Sequence, residues 1–446
     1  MSTAYATFAA RRARLLAQME PGAVAVLSTA AEVARNSDSD YPYRHDSYFY
    51  YLTGFTEPEA TLVLVAARGD VPSCAILFCR QKNAEREIWD GFRHGPEAAR
   101  TTFGFDAAFA IEDLDAEMGR LLANAPVLYY SLGRSTPLDG QVKLWLSNVR
   151  AQSRSGITAP AMAADLLPLL DEMRLLKDEG EIAIMQRAAL ISGNAHARAM
   201  RATRPGMREY EIEAELLHEF RRNGAQAPAY NSIVAAGANA CVLHYSANNA
   251  LCKDGDLILI DAGCELDGYA SDITRTYPVN GRFSEPQKRL YELVLAAQEA
   301  ALKAVQPGAR YSNIHDAAVQ VLAQGMLDLG LLDKNSGGVD EVIKDKSYLQ
   351  FYMHGTGHWL GMDVHDVGLY RDTGTAGKPS RPLQAGMVLT VEPGIYVRPA
   401  EGVPEEYWNI GIRIEDDVLV TDSGHTILSA GAPKTVAEIE QIMQHP

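Results

Sequence analysis

Gly255-Asp-Leu-Ile-Leu-Ile-Asp-Ala-Gly263 is an apolar run that closes on a carboxylate and then on x-Gly, and Gly386-Met-Val-Leu-Thr-Val-Glu-Pro-Gly394 repeats the pattern. The short apolar runs predict strands. A second strand pattern follows each copy and brings another acid, Asp272 after the first and Glu415 after the second. Upstream, Pro205-Gly206 followed by Ile212 in a helical run returns as Pro307-Gly308 followed by Ile314. Self-similarity of this kind implies two related halves in one domain. Each half reads helix, helix, strands, and each delivers two carboxylates.

A carboxylate that closes an apolar strand is costly to bury without a partner. A helix cap or a salt bridge explains one such residue. Four of them, in two repeated pairs, would repel one another if gathered in one place. Two divalent cations balance four carboxylates, so Asp261, Asp272, Glu392 and Glu415 point to a two-metal site. Histidine adds to this. Met353-His354-Gly-Thr-Gly-His358-Trp-Leu-Gly-Met-Asp-Val-His365-Asp366 packs three of the eleven histidines into one Gly-rich stretch. His354 and His358 have the i, i+4 spacing of the helical zinc motif, but Gly355 and Gly357 lie between them and no glutamate follows His354. The stretch therefore predicts a loop or strand entering the site. His244 stands alone, and spacing says little about it. Carboxylate donors with one imidazole favour a hard or borderline ion, Mn²⁺ first and Co²⁺ or Zn²⁺ next. Two such ions make a bridging hydroxide near neutral pH, which is machinery for hydrolysis.

Outward from this core, a long helical pattern begins at Asp178 after the charged stretch Asp171 to Glu181. Before it lie strand patterns at Ala23–Ser28, Ala60–Ala66, Ser73–Cys79 and Val127–Ser131, with amphipathic helices such as Ala9 to Gln18 and Ala107 to Ala123. The expected organisation is an α/β N-terminal domain over 1–174 and an α+β C-terminal domain with an internal pseudo-repeat over 175–446. Asn335-Ser-Gly-Gly338 is expected to be a surface turn.

Composition narrows the classes. Apolar residues are 47% and charged residues 22% of 446, an ordinary globular mix that excludes disordered and collagenous chains. Lys+Arg 41 against Asp+Glu 57 gives a net charge of −16. A nucleic-acid backbone is repelled on average, and no basic patch offsets that. The five cysteines form no C-x-x-C pair, so neither a disulfide framework nor a zinc–thiolate site is expected. No signal-peptide order and no membrane-length apolar stretch is found, and the expectation is a reduced, cytoplasmic protein. P-loop, G-x-S-x-G and dinucleotide fingerprints are absent.

Asp261, Asp272, His358, Glu392 and Glu415, together with Arg35-Asn-Ser-Asp-Ser-Asp-Tyr-Pro-Tyr-Arg44, Ile260-Asp-Ala-Gly-Cys-Glu265, Asp272-Ile-Thr-Arg-Thr-Tyr-Pro-Val-Asn-Gly281, Val391-Glu-Pro-Gly-Ile-Tyr396 and Gly411-Ile-Arg-Ile-Glu-Asp416, resemble the pita-bread metallopeptidases. That family includes methionine aminopeptidase, prolidase, aminopeptidase P and creatinase, and the matched stretches are most similar to its bacterial aminopeptidase P branch. The resemblance implies hydrolysis of the N-terminal Xaa-Pro bond of peptides by a hydroxide bridging two divalent ions. Asp261, Asp272, His358, Glu392 and Glu415 would hold the ions, and Glu392 would also shuttle the proton. His244, His354 and His365 would grip the proline side and the scissile carbonyl, Arg413 would brace the charges, and Tyr396 would line the pocket. Trp89 and Arg154 would touch substrate, Trp89 by reaching a neighbouring subunit's pocket, which implies a dimer or tetramer. Arg371 and Arg381 flank a stretch longer than the family's. The alternatives are a prolidase restricted to dipeptides and a non-catalytic pita-bread scaffold.

Overall fold

In the computed structural model, residues 5–333 and 337–444 are described. Lys334 to Ser336, and with them the first half of the expected turn at Asn335–Gly338, lie outside the described residues. Two units are formed, Met1–Met173 and Arg174–Pro446.

The first unit is built on a six-stranded mixed sheet. Its spatial order is Ala107–Ala110, Cys74–Cys79, Thr61–Val65, Val24–Ser28, Val127–Tyr130 and Met162–Asp165. One face packs against Met118, Leu138, Val142, Trp145 and Val149 from the helices Leu114–Leu121 and Thr136–Arg150. The helix expected over Ala107 to Ala123 begins only at Leu114. Ala107–Ala110 is instead a strand pairing parallel to Ile76–Cys79, and Asp106 accepts the Ala75 N–H at 2.7 Å to start that register. Tertiary pairing here overrides the helical preference of alanine.

In the second unit the repeat becomes visible as structure. Asp178 caps the helix Glu179–Ala202 in a capping box with Glu181, and Ser284 with Gln287 does the same for Glu285–Ala304. The strand Leu257–Asp261 pairs antiparallel with Thr274–Pro278, Asp261 opposite Thr274. Its counterpart Val388–Val391 pairs antiparallel with Asp416–Thr421, Val391 opposite Asp416. In both halves the acids therefore gather at one end of an antiparallel pair. The glycine after each first acid is forced by close approach: a Cβ on Gly263 would stand 1.7 Å from the Ser271 carbonyl oxygen, and one on Gly394 would stand 2.7 Å from that of Ile412. The helices bury their apolar faces against these strands in a core that includes Phe220, Tyr277, Leu290, Leu322 and Tyr352. No helix among the described residues is long and apolar enough to cross a membrane.

Candidate active site

The strand ends converge on a cavity of about 640 Å³ whose lining includes Asp261, Asp272, Glu392 and Glu415. Asp261 is the last residue of its strand, Glu392 follows Val391, and Asp272 and Glu415 lie in the bends that lead into the partner strands. The His354–His358 stretch is a loop, as its glycines imply, and it carries His354 and His358 to the same cavity. His365 and His244 line it as well, with Arg413.

Hydrogen bonds fix these side chains. Arg413 donates to Asp261 Oδ2 at 2.7 Å, to Tyr396 Oη at 2.9 Å and to Thr274 Oγ1 at 3.1 Å. Thr274 in turn donates to Glu415 Oε2 at 2.6 Å. His354 Nε2 lies 2.9 Å from Tyr396 Oη. His358 Nδ1 lies 3.0 Å from the Trp359 carbonyl oxygen, which leaves Nε2 facing Asp272 at 3.4 Å and Glu392 at 3.6 Å. An imidazole whose far nitrogen is held by a carbonyl turns its other nitrogen inward, the usual posture of a metal ligand. Ligand atoms of Asp272, His358 and Glu415 all lie within 4.8 Å of one another.

The charge balance also fits cations. Burial raises the pKa of Glu415 well above the usual range, with Asp272 adding to it, and raises Glu392 to about 7. Asp261 is raised too, by burial only partly offset by Arg413. His358 resists charging through burial, yet its contact with Asp272 outweighs that and lifts it to about 9. Two cationic side chains thus face four buried acids, and a divalent ion supplies the missing positive charge.

The family model for metallopeptidase family M24 matches residues 183–422, more than half of the chain and the whole of this site. The chain belongs to metallopeptidase family M24. Ahead of the M24 domain, the aminopeptidase P N-terminal domain matches residues 8–129. Over 436 residues the chain is 46% identical to the Xaa-Pro aminopeptidase of Escherichia coli (strain K12), covering 98% of this chain and 97% of that one. Aminopeptidase PepP of Pseudomonas aeruginosa superposes with a TM-score of 0.95 at 49% identity, over 99% of this chain and 98% of that one. Aminopeptidase P from E. coli with the inhibitor Pro-Leu superposes with a TM-score of 0.94 at 45% identity, with the same coverage. The second unit is the M24 pita-bread domain.

Within this M24 site several partners escape sequence reasoning. The Tyr230 hydroxyl bonds to Asp261 Oδ1 at 2.6 Å and to Asp272 Oδ1 at 2.5 Å, tying the first acid pair together. It comes from a different segment, after the short strand Ala227–Pro228, and no spacing relates it to the acids. Asp417 accepts the Asp272 N–H at 3.2 Å, and the acid run Glu415-Asp-Asp417 was a signal for it. Asp416 is held by Arg275 at 2.7 Å and by Lys434 at 2.6 Å, while Arg275 also donates to the Glu415 carbonyl at 2.5 Å. Tyr396, expected to line the pocket, is buried behind its wall and acts on Arg413 and His354 instead. Trp89 and Arg154 belong to the first unit. Trp89 is 84% exposed on the helix Ala84–Asp90, and Arg154 is exposed in the Ser153–Ser155 turn.

Proposed function

We propose that this chain is a metal-dependent Xaa-Pro aminopeptidase, which hydrolyses the bond between an N-terminal residue and a following proline. The observation that carries the reading is one cavity in which the acid pairs of both repeated halves meet the imidazole of His358. It lies in a chain whose full length matches proteins named for that activity. The proposed ligands are Asp261, Asp272, His358, Glu392 and Glu415, holding two divalent ions, with Mn²⁺ as the native metal. When bound, such ions polarise a carbonyl and bring water to deprotonation near neutral pH.

The chain's own residues do the rest. Glu392 takes a proton from the attacking water and carries it to the departing proline nitrogen, a tertiary amide nitrogen that leaves only when protonated. His365 donates to the scissile carbonyl oxygen as negative charge develops on it. His244 and His354 close on the proline side, and Tyr396 fixes the His354 ring. Arg413 holds Asp261 and keeps the acid set from repelling itself open. A dedicated pocket follows from proline's missing N–H, which ordinary peptide recognition relies on.

The first domain, over 1–174, is proposed to control substrate access and self-association, with a dimer or tetramer as the working form. The exposed Ile88, Trp89 and Phe92 support a contact there, and Trp89 and Arg154 are proposed to reach substrate through such an assembly. A cytoplasmic location is part of the proposal. The deciding assay compares kcat/KM for Xaa-Pro-Yaa, Xaa-Ala-Yaa and the Xaa-Pro dipeptide at one Mn²⁺ concentration. The tripeptide with proline is expected to lead. A dipeptide that leads by far makes the enzyme a prolidase, and alanine performing as well as proline removes the proline pocket.

A further inference from the structure

His244 reaches the catalytic cavity on the loop of residues 237–250, which follows the strand Ile233–Ala236. Its exposed ring makes no hydrogen bond among the described residues. The other histidines differ, since His354 is tied to Tyr396 and His358 to the Trp359 carbonyl. Where the His244 ring stands is therefore decided by the backbone that carries it. That backbone closes on one buried carboxylate. Glu209, the first residue of the helix Glu209–Arg222, is 0% exposed and does not line the cavity. Its Oε1 accepts from the Ala236 N–H at 2.8 Å and from Asn239 Nδ2 at 3.0 Å. Its Oε2 accepts from the Tyr245 hydroxyl and from the Ala250 N–H, both at 2.8 Å. The donors come from both ends of the loop and from the residue next to His244. A carboxylate taken out of water needs such donors, and bonds to a charged acceptor are the strong ones. Asn248 ties the loop's exit to the preceding strand, accepting from the Val234 N–H and donating to the Ser232 carbonyl, whereas Glu209 holds the residue beside His244.

The repeat gives this arrangement a counterpart. Glu209 stands three residues before Ile212, and Tyr311 stands three residues before Ile314. Tyr311 opens the helix Ser312–Asp328, and its hydroxyl donates to the Gly357 carbonyl, in the loop that carries His354 and His358. The same position in each half thus holds the histidine loop of its own half. We infer that Glu209 is a positioning residue for His244, fixing the loop so that the ring faces the proline side of the substrate. The inference rests on the aminopeptidase reading and adds to it a group that touches neither the cavity nor an ion. Glu209→Gln sets an amide NH₂ where one pair of donors points, which releases that side of the loop.

The test is a double-mutant cycle on one Xaa-Pro-Yaa peptide at one Mn²⁺ concentration. It measures kcat, KM and metal content for the wild type, Glu209→Gln, His244→Ala and the two together. Glu209→Gln is expected to keep its metal and to lower kcat/KM roughly tenfold or more, yet to add less than about threefold once His244 is alanine, the non-additivity of residues that act through one another. The loss is expected to divide between kcat and KM as it does in His244→Ala. An equal loss in both backgrounds, no loss in either, lost metal, or a His244→Ala variant as active as the wild type overturns the inference and leaves the aminopeptidase reading standing. A wild type that cleaves no Xaa-Pro peptide overturns that reading and the inference with it. Should Glu209→Gln fail to fold, Tyr245→Phe, which removes a single bond to Glu209, decides by the same cycle.

Discussion

His365 stands with its ring centroid 4.2 Å from that of His358, in the same cavity, and among the described residues it makes no ion pair with an acid. That placement suits a donor to the scissile carbonyl rather than an ion ligand. His365→Ala is expected to keep its metal, by elemental analysis, and to lose about 10²–10³ in kcat on a tripeptide. Glu415 differs, because its ligand atom shares the tight cluster with Asp272 and His358. Glu415→Ala is expected to lose metal and turnover together; full metal occupancy in that variant would overturn its role as ligand. The acids were legible in the sequence because apolar strands closed on them twice. Tyr230 was not, since its hydroxyl reaches Asp261 and Asp272 from a segment with no repeat partner. Tyr396 was legible only as a neighbour of Glu392 in sequence, whereas its bonds to Arg413 and His354 join it to residues from other segments.

At the scale of elements, the loop from Trp359 to Asp366 carries His365 and starts beside His358, so its anchorage decides where both rings point. Asp366 is that anchor. It is bound by Arg174 at 2.7 Å and Lys177 at 2.9 Å, all three side chains being 1% exposed, and its N–H donates to the Trp359 carbonyl at 2.9 Å. Asp366→Ala removes a buried carboxylate that two buried cations share, a change expected to cost about 3–5 kcal/mol. Urea unfolding of the two proteins checks this, and kcat is expected to fall with the stability. This cluster was not legible, because its members come from segments far apart in the chain. The helix of Glu179–Ala202 was legible from its Asp178 cap, whereas the Ala107–Ala110 strand was not, because a neighbouring strand rather than local preference decides its state.

For the molecule as a whole, the acid set makes folding and ion binding one equilibrium. Ions that bind only the folded M24 domain stabilise it, by about 2.7 kcal/mol per site at a hundredfold excess over Kd. Removal of metal with a chelator is expected to lower the thermal midpoint, and added Mn²⁺ to restore it; an unchanged midpoint would show the acids satisfied without ions. The exposed Trp89 bears on assembly, and Trp89→Glu is expected to shift sedimentation towards a smaller species if that surface is buried between copies. Glu415 is held from beneath by Arg275, which also pairs with Asp416, and Asp416 is bound in turn by Lys434. A single buried guanidinium therefore spans the floor under the second half's acid, so that a change at Arg275 reaches the site without touching any proposed ligand.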